Sequence, residues 1–317
     1  MNKPDFSFRP INSADKARIL EICAKIWDGN DYLPASFDSW LADREGQFNA
    51  LLHEGQLIGC GRLSYVAPGH AWLEGLRKDI DSPVKGVGRA LCLYALHMLK
   101  GRTDLKSVRF ATYIMDEASI KLNEQVGFKR IATATVRSKI MDSAHSDYDA
   151  AKAAPLTAEQ GAGYTTNLPA DTTQSWERLR TAGWFKDFIF VSWRAYPVSG
   201  PADLQRYLEA GSCLECRDSA GRLCGSIVYW QDKAKKLLTI AGLEAESSAA
   251  AACLLYRAEQ DCKQAGFTEI EAMLPDNPAV FRLFDECGYQ PWEQDNDFLL
   301  YELPLTELAR IHSEAAG

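Results

Sequence analysis

The stretch Trp72-Leu73-Glu74-Gly75-Leu76-Arg77-Lys78, followed by Lys85-Gly86-Val87-Gly88-Arg89-Ala90-Leu91, holds the residues best suited to chemistry. It reads as strand, loop and helix. Glycines at a helix entrance let the chain turn and let several backbone N–H groups converge on an anion, where the helix dipole adds a favourable field. Lys85 and Arg89 add positive charge beside that nest. In a chain of formal net charge −8, a local basic group suggests a phosphate-bearing ligand. Gly-x-Gly at a helix start also occurs as plain helix entry, so these residues alone leave both readings open. A dinucleotide-binding loop is disfavoured, because the third glycine is absent and a hairpin precedes it. A Walker A loop is excluded, since Gly-Lys-Ser/Thr never occurs at the required spacing.

Local patterns set the elements that must position this segment. Phe6 and Phe8 alternate with polar residues as in a strand, and Asn12 or Ser13 can cap a helix with apolar positions Ile19, Ile22, Cys23 and Ile26. A second helical stretch lies around Phe37–Leu41, and Phe48–Leu52, the turn Glu54-Gly55-Gln56 and Leu57–Tyr65 read as a hairpin. Strands over Trp72–Leu76 and Val108–Tyr113 and helices from about Gly86 and over Glu117–Val126 follow. Residues from Asp142 to about Gln174 are rich in Ala, Thr, Gly and Asp and read as a connector. Beyond it come a hairpin with the turn Asp218–Arg222, a helix over about Ser248–Ala265, the strand Thr268–Met273 and a helix after Pro278.

The order of elements thus returns, and so does the spelling. Gly55-Gln56-Leu57-Ile58-Gly59 is echoed by Gly221-Arg222-Leu223-Cys224-Gly225, and Asp116 to Gly127-Phe128 by Asn277 to Gly288-Tyr289. Two matches in the same order indicate an internal duplication. A length of 317 residues suits two domains, expected at 1–142 and 175–317 with 143–174 as linker.

The 46% hydrophobic and 25% charged fractions are those of a soluble globular chain, and the net negative charge argues against a nucleic-acid partner. No signal peptide is evident, and apolar runs such as Phe188–Trp193 are too short to span a bilayer, so a cytoplasmic protein without a membrane partner is expected. Nine cysteines without repeating spacing suit buried free thiols. Cys213-x-x-Cys216 falls in an alternating, strand-like segment and reads as structural rather than as a zinc or redox site. His53, His70, His97, His145 and His312 show no metal spacing, and no metal site is expected.

The window Pro83-Val84-Lys85-Gly86-Val87-Gly88 resembles the acetyl-CoA-binding motif of the GNAT N-acetyltransferase superfamily, R/Q-x-x-G-x-G/A between a strand and a helix. Asp116, Ser119, Asn123, Gly127 and Phe128 resemble the superfamily's later signature. Within it, Ile26-Trp27-Asp28-Gly29-Asn30-Asp31-Tyr32-Leu33-Pro34, with Ser39-Trp40-Leu41 and Glu74-Gly75-Leu76-Arg77, is similar to histidine N-acetyltransferase-like proteins. The resemblance implies an α/β (α+β) chain of two tandem GNAT-like domains, each a mixed, mainly antiparallel sheet flanked by helices. It implies acetyl transfer from acetyl-CoA to a small-molecule amine, plausible acceptors including amino acids such as histidine, by a monomer or homodimer.

By resemblance, the backbone of Leu76, Arg77 and Lys78 should pair with the pantetheine arm, while Lys85, Gly86, Val87, Gly88, Arg89 and Ala90, with Asp116, Ser119 and Asn123, complete the cofactor site. Glu74 takes the place of the base that receives the amine proton; its alternative is an ordinary strand carboxylate. Asp31 and Tyr32 are the acceptor-site candidates, a carboxylate for an ammonium or imidazole and a ring for stacking, or else plain loop residues. Two departures matter: Pro83 lacks a backbone N–H, and Asn123 stands where many members carry a tyrosine acid. They motivate the alternative of a non-catalytic acetyl-CoA sensor. The second half reads Glu244-Ala245-Glu246-Ser247-Ser248 at the loop position, without glycine and with two carboxylates, so its cofactor site is expected to be lost.

Overall fold

Asn12 ends the first strand and starts the first helix. Its side chain accepts from the Ala14 N–H while Asp15 accepts from the Asn12 N–H, a reciprocal cap that Arg9 tightens by pairing with Asp15. The computed structural model describes residues 4–141, 157, 161–169, 171–184, 188–233, 235–292 and 294–308. They fall into two units, the described residues up to 132 with 300–308, and those within 133–299.

Unit 1 opens with β1 (Phe6–Pro10), α1 (Lys16–Cys23), α2 (Leu33–Ala42), β2 (Gln47–His53), β3 (Gln56–Ala67) and β4 (His70–Lys78). Then come α3 (Val87–Met98), β5 (Ser107–Tyr113), α4 (Glu117–Val126) and the start of β6 (Lys129–Ile140). Strands β1 to β4 form an antiparallel meander, and β5 joins β4 in parallel. Glu54 and Gly55 take the left-handed backbone that a tight hairpin turn demands. Gly59 on β3 lets α3 lie close: a Cβ there would sit 2.8 Å from Val87 Cγ1 and 2.9 Å from the Arg77 carbonyl.

Unit 2 holds residues 133–140 of β6, β7 (Tyr164–Asn167), α5 (Thr173–Thr181), the hairpin β8 (Phe188–Val191) and β9 (Arg194–Pro197), and α6 (Pro201–Ala210). It continues through β10 (Gly211–Asp218), β11 (Leu223–Asp232), β12 (Leu237–Ala245), α7 (Ser248–Gln264), β13 (Glu269–Leu274), α8 (Pro278–Glu286), β14 (Gln290–Pro291) and the first residues of β15 (Phe298–Pro304). Its order is β6-β13-β12-β11-β10-β7, antiparallel except for β12 with β13. Both units therefore show the expected mixed, mainly antiparallel sheet with helices.

The partition differs from the expected 1–142, 143–174 and 175–317. Each unit is completed by a strand from the far end of the other half: β6 residues 133–140 pair with β13, and residues 300–304 of β15 lie beside β5 in unit 1. There Tyr301 stacks on Phe110 at 5.1 Å and donates to Glu124, and Arg109 donates to Glu302. Residues 143–156, 158–160 and 170 of the expected linker lie outside the described residues. Within the rest, Tyr164–Asn167 is a strand paired with β10, and α5 begins at Thr173, so this stretch is not a plain connector. All nine cysteines are free thiols, and no helix among the described residues is long and apolar enough to cross a membrane.

Of the carboxyls that unit 2 buries, Glu271 is the one whose burial has the clearest consequence. Glu271 on β13 is 4% exposed, and its Oε1 has no partner among the described residues. Burial, with Glu269 nearby, pushes it up to about 7 against the opposing influence of Lys235 and the Trp193 side chain, while Asp297 adds to the rise. The folded protein then binds a proton that the unfolded chain has already released, so this group's contribution to stability falls as pH rises from about 4.5 to 7. Glu271→Gln should flatten that slope and raise stability at pH 8 by up to about 3 kcal/mol. Chemical denaturation from pH 4.5 to 8 checks it; an unchanged slope contradicts the assignment. Asp31, Asp43 and Asp79 are shifted the other way, so their contribution is lost only as pH falls through their depressed values, below the Glu271 window.

Candidate functional site

The centre of unit 1 is set by where β4 leaves its neighbours. It pairs with β5 only at His70–Ser107, Ala71–Val108 and Trp72–Arg109, so beyond Trp72 the two strands part and the β4 edge from Leu73 onward faces a gap. On its other edge the register slips between Cys60 and Arg62, opposite Gly75 and Leu76. Gly75 takes φ +62, and a Cβ there would strike the Trp40 ring at 2.5 Å, so only glycine fits this bulge. Leu76 is left 36% exposed, close to the start of α3.

Residues 80–86 then lead to α3. Gly86 is its N-cap in the left-handed conformation, φ +84, with no capping side chain. The first helical bond runs from Ala90 N–H to the Gly86 carbonyl, so the N–H groups of Val87, Gly88 and Arg89 have no acceptor within the helix. Lys85 and Arg89 are exposed beside them. Such a helix start, with N–H dipoles and two cations side by side, suits an anion such as a pyrophosphate. Asp116 caps α4 by accepting from the Ser119 N–H. Asn123 is 6% exposed and donates to the Ser119 carbonyl at 2.8 Å, while the Cys92 thiol approaches its oxygen. The side chains of Asp116 and Asn123 are thus engaged in shaping α4.

Glu74 lies on β4 one residue before the bulge, with a side chain 8% exposed. Its Oε1 accepts from Arg62 at 2.5 Å and from Ser64 at 2.8 Å. Arg62 also pairs with Asp43 and stacks over Trp40 at 4.9 Å. Asp31 sits where an acceptor cannot reach it: its side chain is fully buried and takes two 2.7 Å bonds from Arg77 and one from the Leu33 N–H. Burial works against its ionisation, but Arg77 outweighs it and holds the carboxyl below its usual range. The Asp31 expectation is therefore corrected from an acceptor contact to an anchor for Arg77, because β4 brings a guanidinium onto it. Tyr32 is 40% exposed, and desolvation of its hydroxyl pushes it up. Arg62, Ser64, Trp40 and Trp27 were not singled out as site residues; alternation of Arg62 and Ser64 on the strand beside Glu74 was the available signal. His70 contacts Ser107, His53 meets the Asp5 carbonyl, and His145 and His312 lie outside the described residues. No metal-binding group occurs among the described residues.

Unit 2 can be matched position by position. Gly59 pairs with Lys78, and Gly225 pairs with Ala245; Asp79 N–H reaches the Ile58 carbonyl, as Glu246 N–H reaches that of Cys224. Counting back along the strand, Gly242 stands at Gly75, Ala241 at Glu74 and Glu244 at Arg77. Leu243, matching the exposed Leu76, is 3% exposed. The loop of residues 80–86 shrinks to Ser247 alone, whose side chain closes the helix start by accepting from the Ala250 N–H. Glu244 and Glu246 are paired with Arg178, and Glu246 also with Arg222.

Residues 15–128 match the acetyltransferase (GNAT) family. The matched segment spans about a third of the chain and holds the strand, loop and helix described above. The fold extends over the chain: a GCN5-related N-acetyltransferase from Sphaerobacter thermophilus superposes with TM-score 0.65 at 14% identity, covering 96% of this chain and 97% of that one. A tandem GNAT protein from the clavulanic acid biosynthesis pathway gives 0.59 at 14% identity over 95% and 99%. A fungal multi-domain protein with a GCN5-related glucosamine N-acetyltransferase region gives 0.62 at 13% identity; the match covers 96% of this chain but only 38% of that longer one. No curated protein matches. At these identities the likeness shows the fold alone, that of tandem GNAT proteins.

Proposed function

We propose that unit 1 transfers an acetyl group from acetyl-CoA to the amine of a small molecule, with amino acids such as histidine as first candidates, in the cytoplasm. The observation that carries this reading is the parting of β4 from β5 beside the uncapped glycine start of α3, with Glu74 on the same strand. When bound, acetyl-CoA supplies an activated acetyl thioester and an anionic pyrophosphate. The N–H groups of Val87, Gly88 and Arg89 and the side chains of Lys85 and Arg89 would hold the anion, and Gly86 and Ala90 keep that turn open and regular. The backbone of Leu76, Arg77 and Lys78 would run beside the pantetheine arm along the β4 edge. Asp116, Ser119 and Asn123 support it by fixing α4.

Glu74 receives the amine proton directly or through one water, and Arg62 and Ser64 keep its carboxylate in place. Tyr32 lines the acceptor side. No acid is assigned to the departing thiolate, which leaves readily at neutral pH because a free thiol ionises at about 8.5. Unit 2, with Ala241 at the Glu74 position and a closed helix start, carries no cofactor site of its own.

Non-catalytic sensing of acetyl-CoA is the second reading, favoured by the buried Asn123 amide, whose N–H is far too weak an acid to protonate a thiolate. Thiol release from acetyl-CoA across amino acids and alkyl, aryl and polyamines separates the two. Amine-dependent release supports transfer; tight binding with no release on any amine supports sensing.

A further inference from the structure

Trp27 is 56% exposed and takes φ +47, followed by Asp28 at +53 and Gly29 at +89. A non-glycine residue in the left-handed region is strained and persists only where its surroundings hold it. Here the hold is the Arg77 guanidinium, 4.7 Å from the Trp27 ring and 5.0 Å from the Tyr32 ring. Arg77 is itself fixed by Asp31 and by the Leu76 carbonyl. The Trp27 and Tyr32 planes lie 26° apart with centroids at 6.3 Å, and Tyr32 meets Trp40 edge-on at 6.1 Å. Trp40 covers Arg62, which holds Glu74. A run of rings therefore leads from an exposed indole to the carboxylate on β4.

The charges beneath the rings decide what suits their outer faces. A guanidinium against one face draws π density inward and leaves the other face less negative, which weakens attraction for a second cation there. A neutral flat ring still stacks. We propose that Trp27, continuous with Tyr32 and Trp40, is the specificity surface for the acceptor, selecting amines that carry a neutral aromatic or heteroaromatic ring over alkyl polyamines. This rests on the acetyl-transfer reading.

The test measures thiol release with 2-phenylethylamine and tryptamine against hexylamine and putrescine, in wild type, Trp27→Leu and Trp27→Phe. The expected result is a wild-type preference for the ring-bearing amines of about tenfold or more in kcat/KM. Trp27→Leu should raise their KM about tenfold and that of hexylamine by no more than about twofold, with Trp27→Phe close to wild type. Because Phe keeps a ring over Arg77, it separates loss of the stack from loss of the fold. Equal KM shifts for both classes, or a wild-type preference for putrescine, would overturn this proposal alone. Absence of release with every amine would overturn the transfer reading as well.

Discussion

Glu74→Gln lowers turnover by about 10²–10⁴-fold while acetyl-CoA affinity and the melting transition stay close to wild type; that is the expected result of removing a positioned base. The fold should tolerate the change. Glutamine retains an oxygen that can accept from Ser64 and Arg62, and Arg62 keeps its ion pair with Asp43, so no buried cation loses all compensation. Raising the pH supplies more neutral amine, so the variant should recover part of its rate in alkaline buffer. Steady-state thiol release from pH 6 to 10 checks this. A near-wild-type rate at neutral pH, with the fold intact, would leave Glu74 as an anchor for Arg62 and place proton removal elsewhere.

Acetyl-CoA affinity should fall by at least about 100-fold in Gly88→Trp, because several charge-assisted N–H contacts worth about 1.5–3 kcal/mol each would be blocked together. A Cβ at Gly88 already meets Leu122 Cδ2 at 3.2 Å and Leu76 Cδ2 at 3.7 Å, so an indole must occupy the space between the start of α3, α4 and the β4 edge. Titration calorimetry should find one acetyl-CoA per wild-type chain and no measurable heat in the variant. Unchanged affinity would show that the anion lies elsewhere. Two molecules per wild-type chain would show that the Ser247 turn still binds, despite its closed cap.

Much of this arrangement is written locally, and that is why the sequence shows it. The glycines Gly86 and Gly88 at the start of α3, the caps Asp116 and Asn277, and the hairpin glycines Gly55 and Gly221 act over a few residues, so their spacing shows the helix start and the return of the same elements. The fate of Asp31 depends on Arg77, a residue 46 positions away, and no local pattern carries that contact. Completion of each unit by β6 or β15 is likewise invisible to alternation, which gives a strand but not its partner. The short polar strand Tyr164–Asn167 carries too little apolar patterning to separate it from a connector. Cys213 and Cys216 are both buried on one strand, three positions apart, so their side chains leave opposite faces and cannot share a metal.

The most direct test of the central claim counts products. Free thiol and acetylated amine are measured together, with acetyl-CoA and a saturating ring-bearing amine, for wild type and Gly88→Trp. The account predicts equal amounts of both products from the wild type, none without the amine, and neither from the variant. Thiol released without acetylated amine, or tight acetyl-CoA binding with neither product on any amine, would contradict it.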